Sequence, residues 1–231
     1  MWGGAPLPSR SVRNSCYCVT NGFEQSAREK GYKVIGGIDE AGRGALAGPV
    51  VAAAVVFPPD YENTNIRDSK QLSPGQREKL SDIIQCDALC VGLGVVEAHI
   101  IDAVNILRAT LTAMKEAALD LSLPPDYLLI DGINRIPLST GQETIIKGDS
   151  LSVSVAAASI IAKVSRDRIM EIYHRQFPQY NFLSNKGYGT AEHREAIKKN
   201  GYCKIHRRSF HLKDEGDSLD LFPEVSVQDL T

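Results

Sequence analysis

Residues 34–59, VIGGIDEAGRGALAGPVVAAAVVFPP, decide how this chain is read. Val34-Ile35-Gly36-Gly37-Ile38 is a short apolar run that stops on two acids, Asp39-Glu40. Val50 to Phe57, VVAAAVVF, is a second run enclosed by Pro49 and Pro58-Pro59. A run of strand length that is apolar on both faces fits a strand in the middle of a covered sheet. Working outward, Cys90 to Val96 is a third strand and Tyr127 to Ile130 a fourth, ending at Asp131-Gly132, with a fifth from Glu143 to Lys147. Pro74 opens a helix through Ile84. Ile100, Val104, Leu107, Leu111, Met114, Ala118 and Leu121 step by fours and threes, which predicts one long amphipathic helix ended by Pro124-Pro125. Val153 to about Gln176 reads as a second long helix, whose Ala156-Ala157-Ala158-Ser159 permits close packing. Strands with helices interspersed give an α/β fold class.

The chain has 231 residues, 43% hydrophobic and 23% charged, enough for a core and for one large domain or two small ones. No internal repeat and no boundary before Lys186 is evident. Residues 33–213 therefore read as one domain that includes a helical C-terminal region. Residues 1–32, rich in Gly, Pro, Ser and Asn, read as a flexible N-terminal extension, and 214–231 as an acidic tail. No apolar run reaches the ~18 residues of a membrane span, and the first residues lack the apolar block of a signal peptide. The expectation is a cytoplasmic protein, a monomer without a membrane partner. The five cysteines have neither disulfide-framework nor zinc-loop spacing.

The net charge of −2 at first sight argues against nucleic acid, but it is a cancellation. From Lys186 to Lys213 eight basic residues face two acids, a local net of +6, and the tail from Asp214 carries six acids and no base. Blocks of one sign mark interaction surfaces or solvated tails, and charge alone does not choose between them.

The acids fall in a pattern. Asp39 and Glu40 end one strand, Asp131 ends another, and Asp149 follows the fifth strand just before a helix. The carboxyl ends of strands form the usual crevice of α/β sheets. Carboxylates gathered there repel one another unless a cation neutralises them, and hard oxygen donors without His or Cys suit Mg²⁺ or Mn²⁺. Two such ions ~4 Å apart serve phosphodiester hydrolysis. Taken singly, each acid is better read as capping a turn or helix; four at strand ends weaken that reading. There is no phosphate-binding Gly-x4-Gly-Lys loop, no His-Glu-x2-His and no Gly-x-Ser-x-Gly. Gly42-Arg43-Gly44 lacks the third glycine of a dinucleotide loop, yet two glycines there would let backbone approach a ligand closely.

The block from Gly37 to Ala54 resembles the opening of bacterial ribonuclease HII. The resemblance continues through Asp68-Ser69-Lys70, Asp131-Gly132, Lys147-Gly148-Asp149-Ser150, Ala156 to Arg168, Asn185-Lys186-Gly187-Tyr188-Gly189-Thr190 and His206-Arg207-Arg208-Ser209-Phe210. Ala45 departs from the family's usual proline after Gly-Arg-Gly. The resemblance implies a ribonuclease H-like fold, a five-stranded mixed sheet flanked by helices with a helical C-terminal region. It implies Asp39, Glu40, Asp131 and Asp149 as catalytic metal ligands for Mg²⁺ or Mn²⁺ in a two-metal site. It also implies hydrolysis 5′ to ribonucleotides in RNA–DNA hybrids and in ribonucleotide-containing duplex DNA, leaving 3′-hydroxyl and 5′-phosphate ends. Gly42, Arg43 and Gly44 with Tyr188 would read the 2′-hydroxyl, the tyrosine ring stacking on the next sugar. Arg43, Ser69, Lys70 and Lys186 would contact phosphates, and Lys163 and Asp167 would form a salt bridge within their helix. Ser218-Leu219-Asp220-Leu221-Phe222 is similar to sliding-clamp-binding peptides, with serine in place of the usual glutamine. A nucleic-acid-binding module without chemistry is the rival reading. Clustered acids beside phosphates speak against it.

Overall fold

The computed structural model describes residues 19–66 and 69–210. The expected acidic tail, its Ser218–Phe222 segment, residues 1–18 and Asp68 lie outside the described residues. The five strands are β1 (Ile35–Ala41), β2 (Val50–Val56), β3 (Cys90–Val96), β4 (Tyr127–Asp131) and β5 (Gly141–Ile145), in the order β3-β2-β1-β4-β5. β2 pairs antiparallel with β1 and β3, whereas β1, β4 and β5 run parallel. The C-terminal ends of β1, β4 and β5 therefore lie side by side, which is where the acids stand.

Every residue of β2 is buried, because the sheet is covered on both faces. On one face Ile38, Ala52, Ala54, Val56, Leu128 and Ile130 pack with Ala113, Met114 and Ala117 of helix α4 (Ile106–Leu119). On the other, Ala53 and Val55 meet Ala156, Ala157, Ala158 and Ile160 of helix α5 (Val153–Gln176). The small residues there allow the close approach expected of them. Gly37 goes further: a Cβ on it would lie 2.2 Å from the Ser154 carbonyl carbon. The start of α5 thus crosses directly over β1, two residues before Asp39.

Local chemistry sets the element ends. Ser73 and Gln76 form a capping box at the start of α2 (Pro74–Asp87), with proline in its first turn. Ser152 caps α5, its hydroxyl accepting from the Val155 N–H. Three expectations are corrected. The single helix over 100–121 is two, α3 (Ala98–Val104) and α4, broken at Asn105, which has φ +68° and caps α4 through the Arg108 N–H. The fifth strand runs from 141 rather than 143. Part of the extension expected over 1–32 belongs to the domain: α1 (Gly22–Glu29) buries Ala27 in the core. Its Glu24 accepts from the Ser152 hydroxyl at 2.6 Å and the Ser154 N–H at 2.9 Å, placing a carboxylate at the N-terminus of α5.

The C-terminal region, with α6 (Phe182–Asn185) and α7 (Ala191–Asn200), packs on the same domain. Tyr180, Phe182, Ile197 and Ile205 form a satellite core with Met170 of α5 and Ala47, which follows β1. Among the described residues no helix is long and apolar enough to cross a membrane.

Candidate active site

Asp39 sits in β1 facing α5 and is only 5% exposed. Its carboxylate accepts from the Glu40 N–H at 2.7 Å and bonds the Ser159 side chain. The Ser159 hydroxyl lies 3.0 Å from that of Ser69. Glu40, one residue on, pairs with Arg43 at 3.6 Å. Asp131, at the end of β4, accepts from the Gly148 N–H at 2.7 Å, which fixes the turn carrying Asp149. Asp149 is buried, and its carboxylate takes Lys70 Nζ at 3.0 Å and the Ser150 hydroxyl at 3.3 Å.

These acids feel one another. Burial pushes the Asp39 carboxyl well above its usual range, and the charges of Glu40 and Asp131 push further. Burial also raises Glu40, opposed by Arg43 and reinforced by Asp131. Asp131 is raised by burial and then by Asp149, while the Gly148 hydrogen bond resists. The coupling runs from Asp39 through Asp131 to Asp149, so the fold gathers all four acids at one end of the sheet. Lys70 and Arg43 offset only part of their charge.

Beside the acids, two segments meet. The turn after β1 receives the 186–190 loop through backbone bonds, Leu46 and Ala47 N–H donating to the Gly187 carbonyl at 2.8 and 3.2 Å. Two arginines with no exposed surface complete the join. Arg207 donates to the carbonyls of Gly42 (2.7 Å), Arg43 (2.9 Å) and Gly48 (3.0 Å). Arg166 donates to those of Pro49 (2.9 Å), Ala47 (3.1 Å) and Lys186 (2.9 Å). The Tyr188 ring lies over the Arg166 guanidinium at 5.2 Å and Lys163 Nζ at 5.7 Å. Gly42, at φ +91°, has no room for a side chain: a Cβ would fall 1.9 Å from Arg166 Nε.

Residues 36–213 match the family model for Ribonuclease HII. The chain belongs to the ribonuclease HII family. It is 69% identical over 191 residues to the Ribonuclease HII of Syntrophus aciditrophicus (strain SB), covering 83% of this chain and 90% of that one. Its identity to the Ribonuclease HII of Geotalea uraniireducens (strain Rf4) is 58% over 188 residues, 81% and 87% of the two chains. Among solved structures, the ribonuclease H2 of Pyrococcus horikoshii OT3 is similar with a TM-score of 0.65 and 27% identity, over 77% of this chain and 93% of that chain. The RNase HII solved with PCNA from Archaeoglobus fulgidus is similar with a TM-score of 0.67 and 28% identity, over 82% and 100%. The fold is therefore ribonuclease H-like, and the chain is a metal-dependent ribonuclease H hydrolase.

On this ribonuclease HII scaffold the donor set fits a divalent ion by its chemistry: four carboxylates, their mutual repulsion incompletely offset, and hard oxygen donors only. Among the described residues, no three His, Cys, Asp or Glu side chains already converge as a ligand cage. The turn that carries Gly42, Arg43 and Gly44 is joined to the loop that carries Tyr188 through Leu46, Ala47 and Arg166. Two residues expected at phosphates have protein partners here. Ser69 is buried behind Asp39 with its hydroxyl on Ser159, and Lys186 Nζ lies 3.0 Å from Glu171. Lys163 and Asp167 form the expected salt bridge, at 2.6 Å. Arg166 and Arg207 were missed as site residues. Both stand inside motif blocks, but nothing in the sequence separates a buried arginine from one that meets phosphate.

Proposed function

We propose that this protein is an endoribonuclease that hydrolyses the RNA strand of RNA–DNA hybrids and cuts 5′ to ribonucleotides embedded in duplex DNA, leaving 3′-hydroxyl and 5′-phosphate ends. The observation that carries this reading is the meeting of the acid cluster with the Gly42-Arg43-Gly44 turn and Tyr188. Mg²⁺ or Mn²⁺ held by Asp39, Glu40, Asp131 and Asp149 would supply, as a pair of ions, activation of water and stabilisation of the leaving oxygen. Gly148 and Ser159 orient two of these carboxylates through the hydrogen bonds described above.

Discrimination rests on the 2′-hydroxyl, a donor and acceptor that DNA lacks. The backbone of Gly42, Arg43 and Gly44 and the Tyr188 phenol would bond it, and the tyrosine ring would stack on the following sugar. Arg43, Lys70 and Lys186 contribute phosphate contacts that set register without reading sequence. For Lys70 and Lys186 these contacts require exchange from Asp149 and Glu171. The structure of the A. fulgidus relative with PCNA, together with the Ser218–Phe222 segment, supports a sliding clamp as a further partner. The deciding test is incubation with a duplex carrying one ribonucleotide, with Mg²⁺ and then with EDTA. Cleavage 5′ to the ribonucleotide only with metal is expected; no cleavage, or cleavage of an all-DNA control, overturns the reading.

A further inference from the structure

We propose that Arg166 and Arg207 are positioning residues that set how strictly the enzyme discriminates a lone ribonucleotide, by holding the Gly42–Pro49 turn and the Lys186–Tyr188 loop as one rigid reading face. The inference rests on the 2′-hydroxyl reading above. Burying a guanidinium is costly unless it is fully hydrogen-bonded, and here none of the described bonds of either goes to a carboxylate. All six go to backbone carbonyls of the two reading segments. An apolar contact would fill the same space at lower desolvation cost. What it would not do is fix six carbonyls in direction.

The division of labour is visible. Arg207 ties Gly42, Arg43 and Gly48, so it sets the shape of the turn. Arg166 spans the two segments, through Ala47 and Pro49 on one side and the Lys186 carbonyl on the other, and lies under the Tyr188 ring. The close approach of Gly42 to Arg166 links all three parts. A misplacement of ~1 Å at such a face can lower rate by about 100-fold. A long hybrid offers ribose at every position and tolerates a loosened face better than a single ribonucleotide does.

Lysine retains the charge and three donors but gathers them on one nitrogen, so it cannot reach three carbonyls spaced for the separate nitrogens of the planar fork. The test compares kcat/KM on a duplex with one ribonucleotide and on a long RNA–DNA hybrid, both in Mg²⁺. The enzymes are wild type, Arg166→Lys, Arg207→Lys, Tyr188→Ala and Arg166→Lys/Tyr188→Ala. Each lysine variant should shift the ratio of the two constants against the single ribonucleotide by about tenfold, and Arg166→Lys should add less than about threefold to that shift in the Tyr188→Ala background. Equal losses on both substrates, or full additivity with Tyr188→Ala, overturn the proposal and leave the functional reading intact. A wild type that cuts neither substrate overturns both. If circular dichroism shows one lysine variant unfolded, the other carries the comparison. If neither folds, the pair is purely structural and the proposal falls.

Discussion

Acidification should expose a weakness beside Tyr188 that belongs to one histidine pair. His206 and His193 are buried with their Nε2 atoms 3.1 Å apart. The Cys203 N–H donates to His206 Nδ1 at 2.9 Å, so that nitrogen carries no proton. His206 must then donate from Nε2 to His193, leaving His193 to donate from Nδ1 to the Tyr188 carbonyl at 2.9 Å. A second proton on either ring sets N–H against N–H. Burial, then the His193 ring, lowers His206 to about 4, and burial lowers His193 as well. With folded values below the unfolded 6.5, the unfolded chain takes up the proton first. The neutral pair's contribution is therefore whole above pH 6.5 and is lost as pH falls towards 4. For His206 the full loss is about 3 kcal/mol at 1.36 kcal/mol per pH unit.

The carboxylates oppose this. Asp39, Glu40 and Asp131 have raised folded values, so their repulsion is relieved as pH falls. The raw stability curve mixes both signs, and the informative quantity is a difference. Urea unfolding of metal-free wild type and of His206→Gln from pH 7 to 4.5 should show wild type losing about 2–3 kcal/mol more than the variant. Parallel curves between pH 6.5 and 4.5 would refute the tautomer chain. So would a His206 ring that titrates near its ordinary value by NMR.

The same coupling predicts that Asp39→Asn stabilises the metal-free protein at pH 7, by roughly 2–4 °C in melting temperature for each kcal/mol of repulsion removed. The gain should shrink as pH falls into the range where wild-type Asp39 is protonated; an unchanged or lower melting temperature at pH 7 counts against the repulsion. Asp149→Asn should lose about 100-fold or more in cleavage rate while retaining duplex affinity in a gel shift, and parallel loss of both would make Asp149 a binding residue instead. Deleting residues 214–231 should abolish clamp affinity in a direct titration; unchanged affinity removes that segment from the interface.

Much of the site was legible because its chemistry lies at the ends of contiguous apolar runs. Asp39, Glu40 and Asp131 each close such a run, and parallel pairing of β1, β4 and β5 then aligns them with Asp149. The break at Asn105 was hidden because the apolar stripe keeps its step of three and four across it, while the backbone alone turns to positive φ. β5 was shifted because it is an edge strand, mostly half-buried, and its polar residues carry little period. α1 was missed because GFEQSARE is short and mostly polar; it is held by Phe23 and Ala27 against the core and by Glu24 at another helix's end.

Charge is where sequence and structure diverge most usefully. The +6 of residues 186–213 overstates the exposed charge, because Arg207 lies wholly inside and Lys186 is paired with Glu171. The surface is less basic than its count. On the proposed function, the buried share still serves the substrate. Two guanidinium groups beneath the Gly42–Pro49 turn lie in low dielectric, where their field is weakly screened. Exposed lysines attract any duplex and are weakened by salt, whereas on the proposed reading the buried pair acts through the turn it holds. On the proposed function, general affinity and ribose discrimination would then fall to different arginines and lysines. Raising the salt concentration should weaken binding of all duplexes far more than it alters the preference for a ribonucleotide over a deoxyribonucleotide at the cleavage position.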